Sequence, residues 1–176
     1  MFRTERDFLG EKSIPSAAYY GIHTVRALEN FAVSRQHTHP ELIRAIATVK
    51  QAAAEMNMSL GLLDSRLGSA IFQAAAEVAD GHFVDQFPLD SLQGGAGTST
   101  NMNVNEVVAN RAIELLGGQK GDYSMLHPLN HVNLSQSTND VYPTALRLAA
   151  IRLLQSLSEA CAQLQGALQK KEAEFA

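Results

Sequence analysis

Apolar residues recur at steps of three and four along much of the chain, the spacing that places side chains on one face of an α-helix. The first such stretch follows Pro40 and Glu41, which suit the first turn of a helix. Its apolar positions are Leu42, Ile46, Val49, Ala53, Met56 and Leu60. This pattern predicts an amphipathic helix in which Met56 fills the core.

The same spacing predicts two further helices. Asp64 or Ser65 can cap the first of them, and Gly81 can end it in a left-handed conformation. A third helix is expected from about residue 101 to 116, where a Gly-Gly pair stops it. The apolar face of the earlier of these helices consists of Leu67, Ile71, Ala75 and Val78.

The longest apolar stripe lies at the end of the sequence, from about Pro143 onward. A stripe of this length requires partner helices to cover it. The sequence stops at Phe175 and Ala176 without a Gly or Pro terminator, so we expect a fragment that ends inside a helix. The stripe runs through Leu146, Ala150, Leu153, Leu157, Ala160, Leu164 and Leu168.

Composition and charge exclude several classes of function. With 45% hydrophobic residues and a net charge of −4, the chain can bury a core but has no basic field for nucleic acid. The single Cys161 rules out an intrachain disulfide and fits a reducing compartment. No signal-peptide core, membrane-length apolar run or His/Cys cluster of metal-binding spacing is found. We therefore expect a cytoplasmic protein with no membrane segment, no nucleic-acid partner and no metal.

Two short stretches concentrate hydroxyl and amide side chains just before predicted helices. Residues 93–101 read QGGAGTSTN and residues 135–140 read SQSTND, and neither stretch contains Lys or Arg. A helix start offers unpaired backbone N–H groups and the positive end of the helix dipole. Neutral donors placed there can hold a carboxylate without a cationic side chain. The two stretches together predict a site for one small acid.

The ordinary interpretation is that these residues only cap helices, since Ser, Thr and Asn are the preferred N-cap residues. Capping needs one such residue per helix, whereas here they stand consecutively from Thr98 to Asn101 and from Ser137 to Asn139. A nucleotide-phosphate loop is a poor alternative, because G-x-x-x-x-G-K-[ST] and G-x-G-x-x-G are both absent. No cofactor is predicted.

These motifs resemble those of the aspartase/fumarase superfamily of lyases. The family's T-S-T-N-M-N-x-N-E-V-x-A-N run matches residues 98–110, and HPLNHVN at 127–133 leads to the second run, STND, at 137–140. The family's entry segment is matched by ERDFLGEK at 5–12 and AYYGIHT at 18–24. The resemblance implies a mainly α fold, with an N-terminal helical lyase domain at 1–138. It also implies that 139–176 are the first long helix of the central helical bundle, which assembles into a homotetramer.

Within the superfamily, three positions look like the aspartate ammonia-lyase branch. His23 stands where fumarases usually have Gln, while Gly94-Gly95 and Ser137-Thr138 stand where fumarases tend to have Ser-Gly and Ser-Ser. The expected reaction is reversible elimination of ammonia from L-aspartate to give fumarate. The alternatives are a class II fumarase and, from another class, a helical assembly module without chemistry.

The resemblance also implies site residues. Thr98, Ser137 and Thr138 match the ligands of the substrate β-carboxylate, and Asn139 matches the residue that helps to hold the amine. The family's catalytic base is a Ser in a G-S-S-x-M-P-x-K-x-N loop, which has no match in this sequence, so no catalytic residue is assigned. The family builds each site from three subunits, and we expect this fragment alone to be inactive.

Four titratable residues lie in or near the family-like motifs. His23 and His131 are candidates for lying near the site, since both fall inside such motifs. Glu106 and Asp140 are expected to act through helix-start electrostatics or buried pairing rather than as bases.

Overall fold

A computed structural model describes residues 1–176 and shows a mainly α fold, as the sequence predicted. The chain opens with an antiparallel hairpin of two strands that the apolar spacing did not reveal, β1 (Phe2–Asp7) and β2 (Gly10–Pro15). A 3-10 turn at Val84–Gln86 and a π-helical turn at Pro128–Val132 lie between the later helices. The helices are α1 (Ile22–Asn30), α2 (Pro40–Ser59), α3 (Ser65–Ala79), α4 (Thr98–Leu115) and α5 (Thr138–Phe175).

Helices α2, α3 and α4 pack together around one hydrophobic core. Ile46, Ile71 and Val107, one from each helix, are fully buried there. Helix α4 is buried on all sides between residues 100 and 110, although several of these residues are polar. Buried polar groups need hydrogen-bond partners. The polar side chains of α4 therefore determine which other segments must lie beside it.

Helices α2 and α3 have the predicted positions, and α3 also has the predicted ends. The Asp64 carboxylate accepts hydrogen bonds from the first-turn N–H groups of α3, and Gly81 has a φ of +92° just beyond its last residue. The interpretation of Met56 as core filler was wrong, because this side chain is 56% exposed. The buried face of α2 instead continues through Ala54 and Asn57.

Helix α4 begins earlier than predicted, at Thr98 instead of about residue 101, and α5 begins at Thr138, one residue before the start that the family resemblance implied. Ser137 caps α5, and the helix continues through Pro143, near which the apolar stripe begins. The consecutive hydroxyl and amide residues therefore lie largely in the first turns of the two helices. Their side chains therefore lie near the positive ends of the two helix dipoles.

Only the start of α5 packs against the rest of the chain. Val141, Ala145 and Ala149 are buried against the domain, and the Arg152 guanidinium donates to the Thr48 hydroxyl of α2 over 3.2 Å. Beyond this contact the apolar stripe is exposed, with Leu157 58% exposed. The first turns of α5 pack on α2 and α4. The division of the chain into two domains between residues 138 and 139 stays a prediction. None of the helices combines the length and apolar character required to cross a membrane.

Candidate functional site

The Gly-rich loop before α4 leaves the start of that helix open. Gly97 is the N-cap, with a φ of +80°, and a Cβ at this position would overlap the ring of Tyr142. The Gln93 side chain accepts from the N–H of Thr100 over 2.9 Å and donates to its hydroxyl over 2.8 Å. No side chain caps the first two N–H groups of the helix, those of Thr98 and Ser99. These backbone donors can meet an anion from outside.

The start of α5 presents a second set of donors. The Ser137 hydroxyl accepts from the N–H of Asn139 over 3.2 Å, so the capping interpretation is correct for Ser137. Its hydroxyl proton is not used by that contact and can still be donated. The Thr138 hydroxyl accepts from the side-chain amide of Asn101 over 3.0 Å. Ser137 and Asn139 are exposed and Thr138 is half-buried.

A groove of about 430 Å³ separates the two helix starts. Asn139 is the one predicted site residue that lines it. Thr98 and Thr138 each lie next to a lining residue along the chain, and Ser137 lies two residues before Asn139, but none of the three lines the groove itself. The chain thus brings the Gly-rich loop and the start of α5 together, but convergence of all four residues on one ligand stays a prediction. The other lining residues are Ser91, Gln93, Gly95, Ala96, Gly97, Tyr142, Pro143 and Leu146.

A buried lysine holds the loop that leads into α5. Lys50 of α2 is fully buried, and its ammonium donates to Asn133 Oδ1 over 2.8 Å and to Gln136 Oε1 over 2.9 Å. Burial lowers the pKa of Lys50 to about 7. Asn133 Oδ1 also accepts from the side-chain amides of Asn101 and Asn105, over 3.1 Å each. One oxygen therefore joins α2, α4 and the loop that leads into α5.

The hydrogen bonds of Lys50 were not predicted, although the sequence contains a signal for them. Lys50 and Asn57 continue the three- and four-residue spacing of the buried face of α2, so they occupy core positions of an amphipathic helix. A charged residue at a core position requires several hydrogen-bond partners. The pattern did not show which partners those would be, because Asn133 and Gln136 lie more than 80 residues away.

A buried aspartate secures the segment that precedes the Gly-rich loop. The Asp90 carboxylate accepts from the backbone N–H groups of Val33, Ser34 and Arg35 over 2.6 to 3.0 Å, and from the Ser34 hydroxyl over 2.6 Å. The hydrogen bond from the Ser34 hydroxyl and these backbone donors hold the pKa of Asp90 far below its usual range. Asp90 therefore fixes residues 33–35 against the chain that enters the groove.

The remaining carboxylate of interest, Glu106, has a structural role. It is fully buried in α4 and accepts from the N–H groups of Gly21, His23 and Thr24 and from the Thr24 hydroxyl. Burial raises the pKa of Glu106, while the donated hydrogen bonds oppose that change. This arrangement satisfies the start of α1, in agreement with the interpretation as helix-start electrostatics.

The histidines lie outside the groove. His23 lines a separate cavity of about 600 Å³ together with Tyr123 and His127, and burial lowers the pKa of His127. His131 Nδ1 accepts the backbone N–H of His127 over 2.8 Å. The structure therefore places neither His23 nor His131 beside the donor loops. No group of three or more His, Cys, Asp or Glu side chains has an arrangement that could hold a metal ion.

The geometry suits recognition of a small carboxylate. Two helix starts face one groove and present neutral donors, and the ammonium of Lys50 lies behind Asn133 and Gln136 rather than in the groove. Aligned dipoles of this kind stabilise an anion without a fixed opposing charge.

Several known proteins are similar to this chain. The model of a family described as Lyase matches residues 10–176. An aspartate ammonia-lyase from Bacillus sp is 54% identical over 174 residues, which cover 99% of this chain and 37% of that protein. This chain therefore spans a little over a third of the length of such a relative.

Two solved structures show the same fold. The crystal structure of a fumarate lyase:delta crystallin from Brucella melitensis, bound to cobalt, superposes with a TM-score of 0.91 at 51% identity, covering 93% of this chain and 36% of that one. The crystal structure of a class II fumarase from Schistosoma mansoni superposes with a TM-score of 0.81 at 41% identity, covering 85% and 32% of the two chains.

Proposed function

This chain belongs to the lyase family, within the aspartase/fumarase superfamily, and we propose that it forms part of an aspartate ammonia-lyase. The proposed reaction removes a proton from the carbon next to the β-carboxylate of L-aspartate and expels ammonia from the neighbouring carbon, which gives fumarate. In this proposal the chain supplies carboxylate-binding donors. The observation that carries it is the pair of uncharged helix starts that face one groove.

Thr98, Ser137 and Thr138 are proposed to bind the β-carboxylate. Removal of the adjacent proton leaves an aci-carboxylate with two negative charges, so donors that are already in place lower the barrier to its formation. Removing one such donor typically costs about 2.7 to 4 kcal/mol of transition-state stabilisation. Neutral donors suit this role, because a fixed cation would also hold the ground-state carboxylate tightly.

Asn139 is proposed to help hold the substrate amine. Its side chain is exposed and lines the groove opposite the Gly-rich loop, so it can reach a ligand there. The amide oxygen of Asn139 can accept from an ammonium group. The proposed catalytic base is a Ser on a flexible loop, and it is not among the residues of this chain. In this proposal the site is completed by neighbouring subunits of a homotetramer.

A class II fumarase is the second candidate, because the fumarase from Schistosoma mansoni shares the fold at 41% identity. The higher identity to the aspartate ammonia-lyase from Bacillus sp, 54%, favours the first candidate. The lyase-family match also favours an enzyme over a helical assembly module.

The test is an activity assay of the full-length protein with L-aspartate and L-malate as separate substrates, followed through the absorbance of fumarate. Fumarate production from L-aspartate is the expected result. Production from L-malate alone would replace the proposal with the fumarase alternative. If neither substrate reacted in a protein that sedimented as a folded oligomer, the assembly module would become the better account.

A further inference from the structure

The hydrogen bonds between Lys50 and the loop before α5 run in one fixed direction. Lys50 Nζ can only donate to the two amide oxygens that face it, Asn133 Oδ1 and Gln136 Oε1. Asn133 Nδ2 independently donates to the backbone carbonyl of Gln136 over 3.1 Å, and a carbonyl can only accept. Two separate contacts therefore orient the Asn133 side chain with its oxygen towards α4.

The orientation of Asn133 fixes that of its neighbours on α4. Because its oxygen faces Asn101 and Asn105, both must present Nδ2 to it, as they do over 3.1 Å each. Their own oxygens then point away from it, and Asn101 Oδ1 and Asn105 Oδ1 are buried atoms without a hydrogen-bond partner within the chain. Leaving buried acceptors unpaired is unfavourable, so the direction is maintained against a local penalty.

The last member of the chain of hydrogen bonds is Thr138. Asn101 Nδ2 donates to Thr138 Oγ1 over 3.0 Å, so the threonine hydroxyl accepts on its inner side. A hydroxyl has a single proton, and that proton is therefore left for donation elsewhere. Had Asn101 presented its oxygen, the Thr138 proton would have turned inwards and its lone pairs would have faced any carboxylate.

We propose that Asn101 is a positioning residue that makes Thr138 a hydrogen-bond donor towards the substrate, with Lys50 and Asn133 holding Asn101 in the required orientation. The inference rests on the proposed function, in which Thr138 contacts the substrate carboxylate. Deprotonation of Lys50 does not reverse the direction, because a neutral amine keeps two N–H groups for its two acceptors.

The experiment compares two substitutions at Asn101 in the full-length enzyme, with kcat/KM for L-aspartate as the readout. Asn101→Asp keeps the shape of the side chain but offers only acceptors, so it draws the Thr138 proton inwards. Asn101→Leu has a similar size and leaves the Thr138 hydroxyl free to rotate. We expect Asn101→Asp to lower kcat/KM about 10²- to 10³-fold, as loss of one oxyanion donor does, and Asn101→Leu to lower it less than about tenfold.

A double-mutant cycle with Thr138→Val tests whether Asn101 acts through Thr138. Thr138→Val alone should lower kcat/KM about as much as Asn101→Asp, and adding it to Asn101→Asp should cause no further loss. Asn103→Asp is the matched control, because it buries the same new charge on α4 where Asn103 Nδ2 donates to the Gln86 carbonyl over 3.0 Å. The folded Asn103→Asp enzyme should keep its kcat/KM.

Each failure has its own signature. If Thr138→Val lowers kcat/KM but Asn101→Asp does not, or if Asn101→Leu is as harmful as Asn101→Asp, the positioning role is overturned while the proposed function stands. If Thr138→Val has no effect on a protein that does form fumarate, Thr138 is not a substrate ligand and the inference falls with that assignment.

A measurement on the unsubstituted protein decides the question should Asn101→Asp not fold. Neutron diffraction locates the deuteron on Thr138 Oγ1. A deuteron directed away from Asn101 is the expected result. One directed at the Asn101 side chain would overturn the inference.

Discussion

The backbone N–H of Gly21 donates to the buried carboxylate of Glu106 over 2.8 Å, and this contact leaves no space for a side chain at residue 21. A Cβ there would lie 2.8 Å from Glu106 Oε1 and closer still to the Tyr123 hydroxyl. Gly21 is the N-cap of α1 and has no side chain to cap it, so Glu106 takes that role from α4. The two residues join the entry segment to the helix that begins at the groove.

Gly21→Ala should therefore destabilise the protein. Inserting a methyl group into a packed site typically costs about 1 to 3 kcal/mol of unfolding free energy, and here the neighbours include a carboxylate that cannot move without losing hydrogen bonds. Urea unfolding measures the change. Gly166→Ala is the matched control, since its Cβ would meet nothing within 4 Å and alanine favours a helix, so this variant should be as stable as the wild type or more stable. Equal stability of the two variants would contradict the account.

Ser137→Ala and Thr98→Val should separate a cap from a ligand. Ser137 caps α5, so its loss should reduce stability by about 0.5 to 2 kcal/mol and also lower kcat/KM in the full-length enzyme. Thr98 is exposed and does not cap α4, so Thr98→Val should lower kcat/KM while leaving the melting temperature unchanged. Thermal unfolding and steady-state kinetics of both variants provide the measurement. Unchanged kinetics in both variants would leave Ser137 with a capping role alone and would remove Thr98 from the proposed site.

Lys50→Met should change how stability depends on pH. The folded-state pKa of Lys50 is lowered to about 7, whereas an unfolded lysine titrates near 10.4. Between these values the unfolded chain binds the extra proton, so wild-type stability relative to Lys50→Met should rise from pH 7 to pH 10, by a few kcal/mol. Below pH 7 the difference should be constant. Urea unfolding across this pH range measures the difference in unfolding free energy, with Lys170→Met as the exposed control. A difference between the wild type and Lys50→Met that stays constant above pH 7 would refute the prediction.

Asp90→Asn should weaken the segment at residues 33–35. The folded-state pKa of Asp90 is lowered, so its ionised form contributes stability above the unfolded pKa of about 3.9, and this contribution is lost as pH falls below that value. The variant should unfold at lower urea concentration than the wild type at pH 7, and the two should converge in acid. Asp85→Asn, at an exposed aspartate, should behave like the wild type at both pH values. A gap that persists unchanged below pH 3 would argue against the ionised carboxylate as the cause.

The exposed stripe of α5 should make this chain self-associate. Burying one leucine side chain contributes roughly 1.5 to 3 kcal/mol, and Leu157, Leu164 and Leu168 are each about 60% exposed. Sedimentation equilibrium should show an oligomer that Leu157→Glu with Leu164→Glu dissociates. Gln155→Glu adds a charge on the opposite side of the helix and should leave the oligomer intact. A wild-type monomer at micromolar concentration would contradict the prediction.

Local sequence determined most of the secondary structure and the family. The three- and four-residue spacing located α2 and α3, and Asp64 and Gly81 marked the two ends of α3. The motifs at 98–110 and 127–140 led to the lyase family that the family model then matched. These features could be found because periodicity, capping and motif spacing are properties of neighbouring residues.

Tertiary structure determined the hydrogen-bond partners of Lys50 and Asn101. The partners of Lys50 are 83 and 86 residues away, and Asn101 meets Thr138 across 37 residues, so no local pattern could have paired them. Packing against α3 and the start of α5 also decided which side of α2 is buried and left Met56 outside. The physical reason is that a buried polar group must find its partner wherever the fold brings one, whereas a helix needs only its own sequence to set its period.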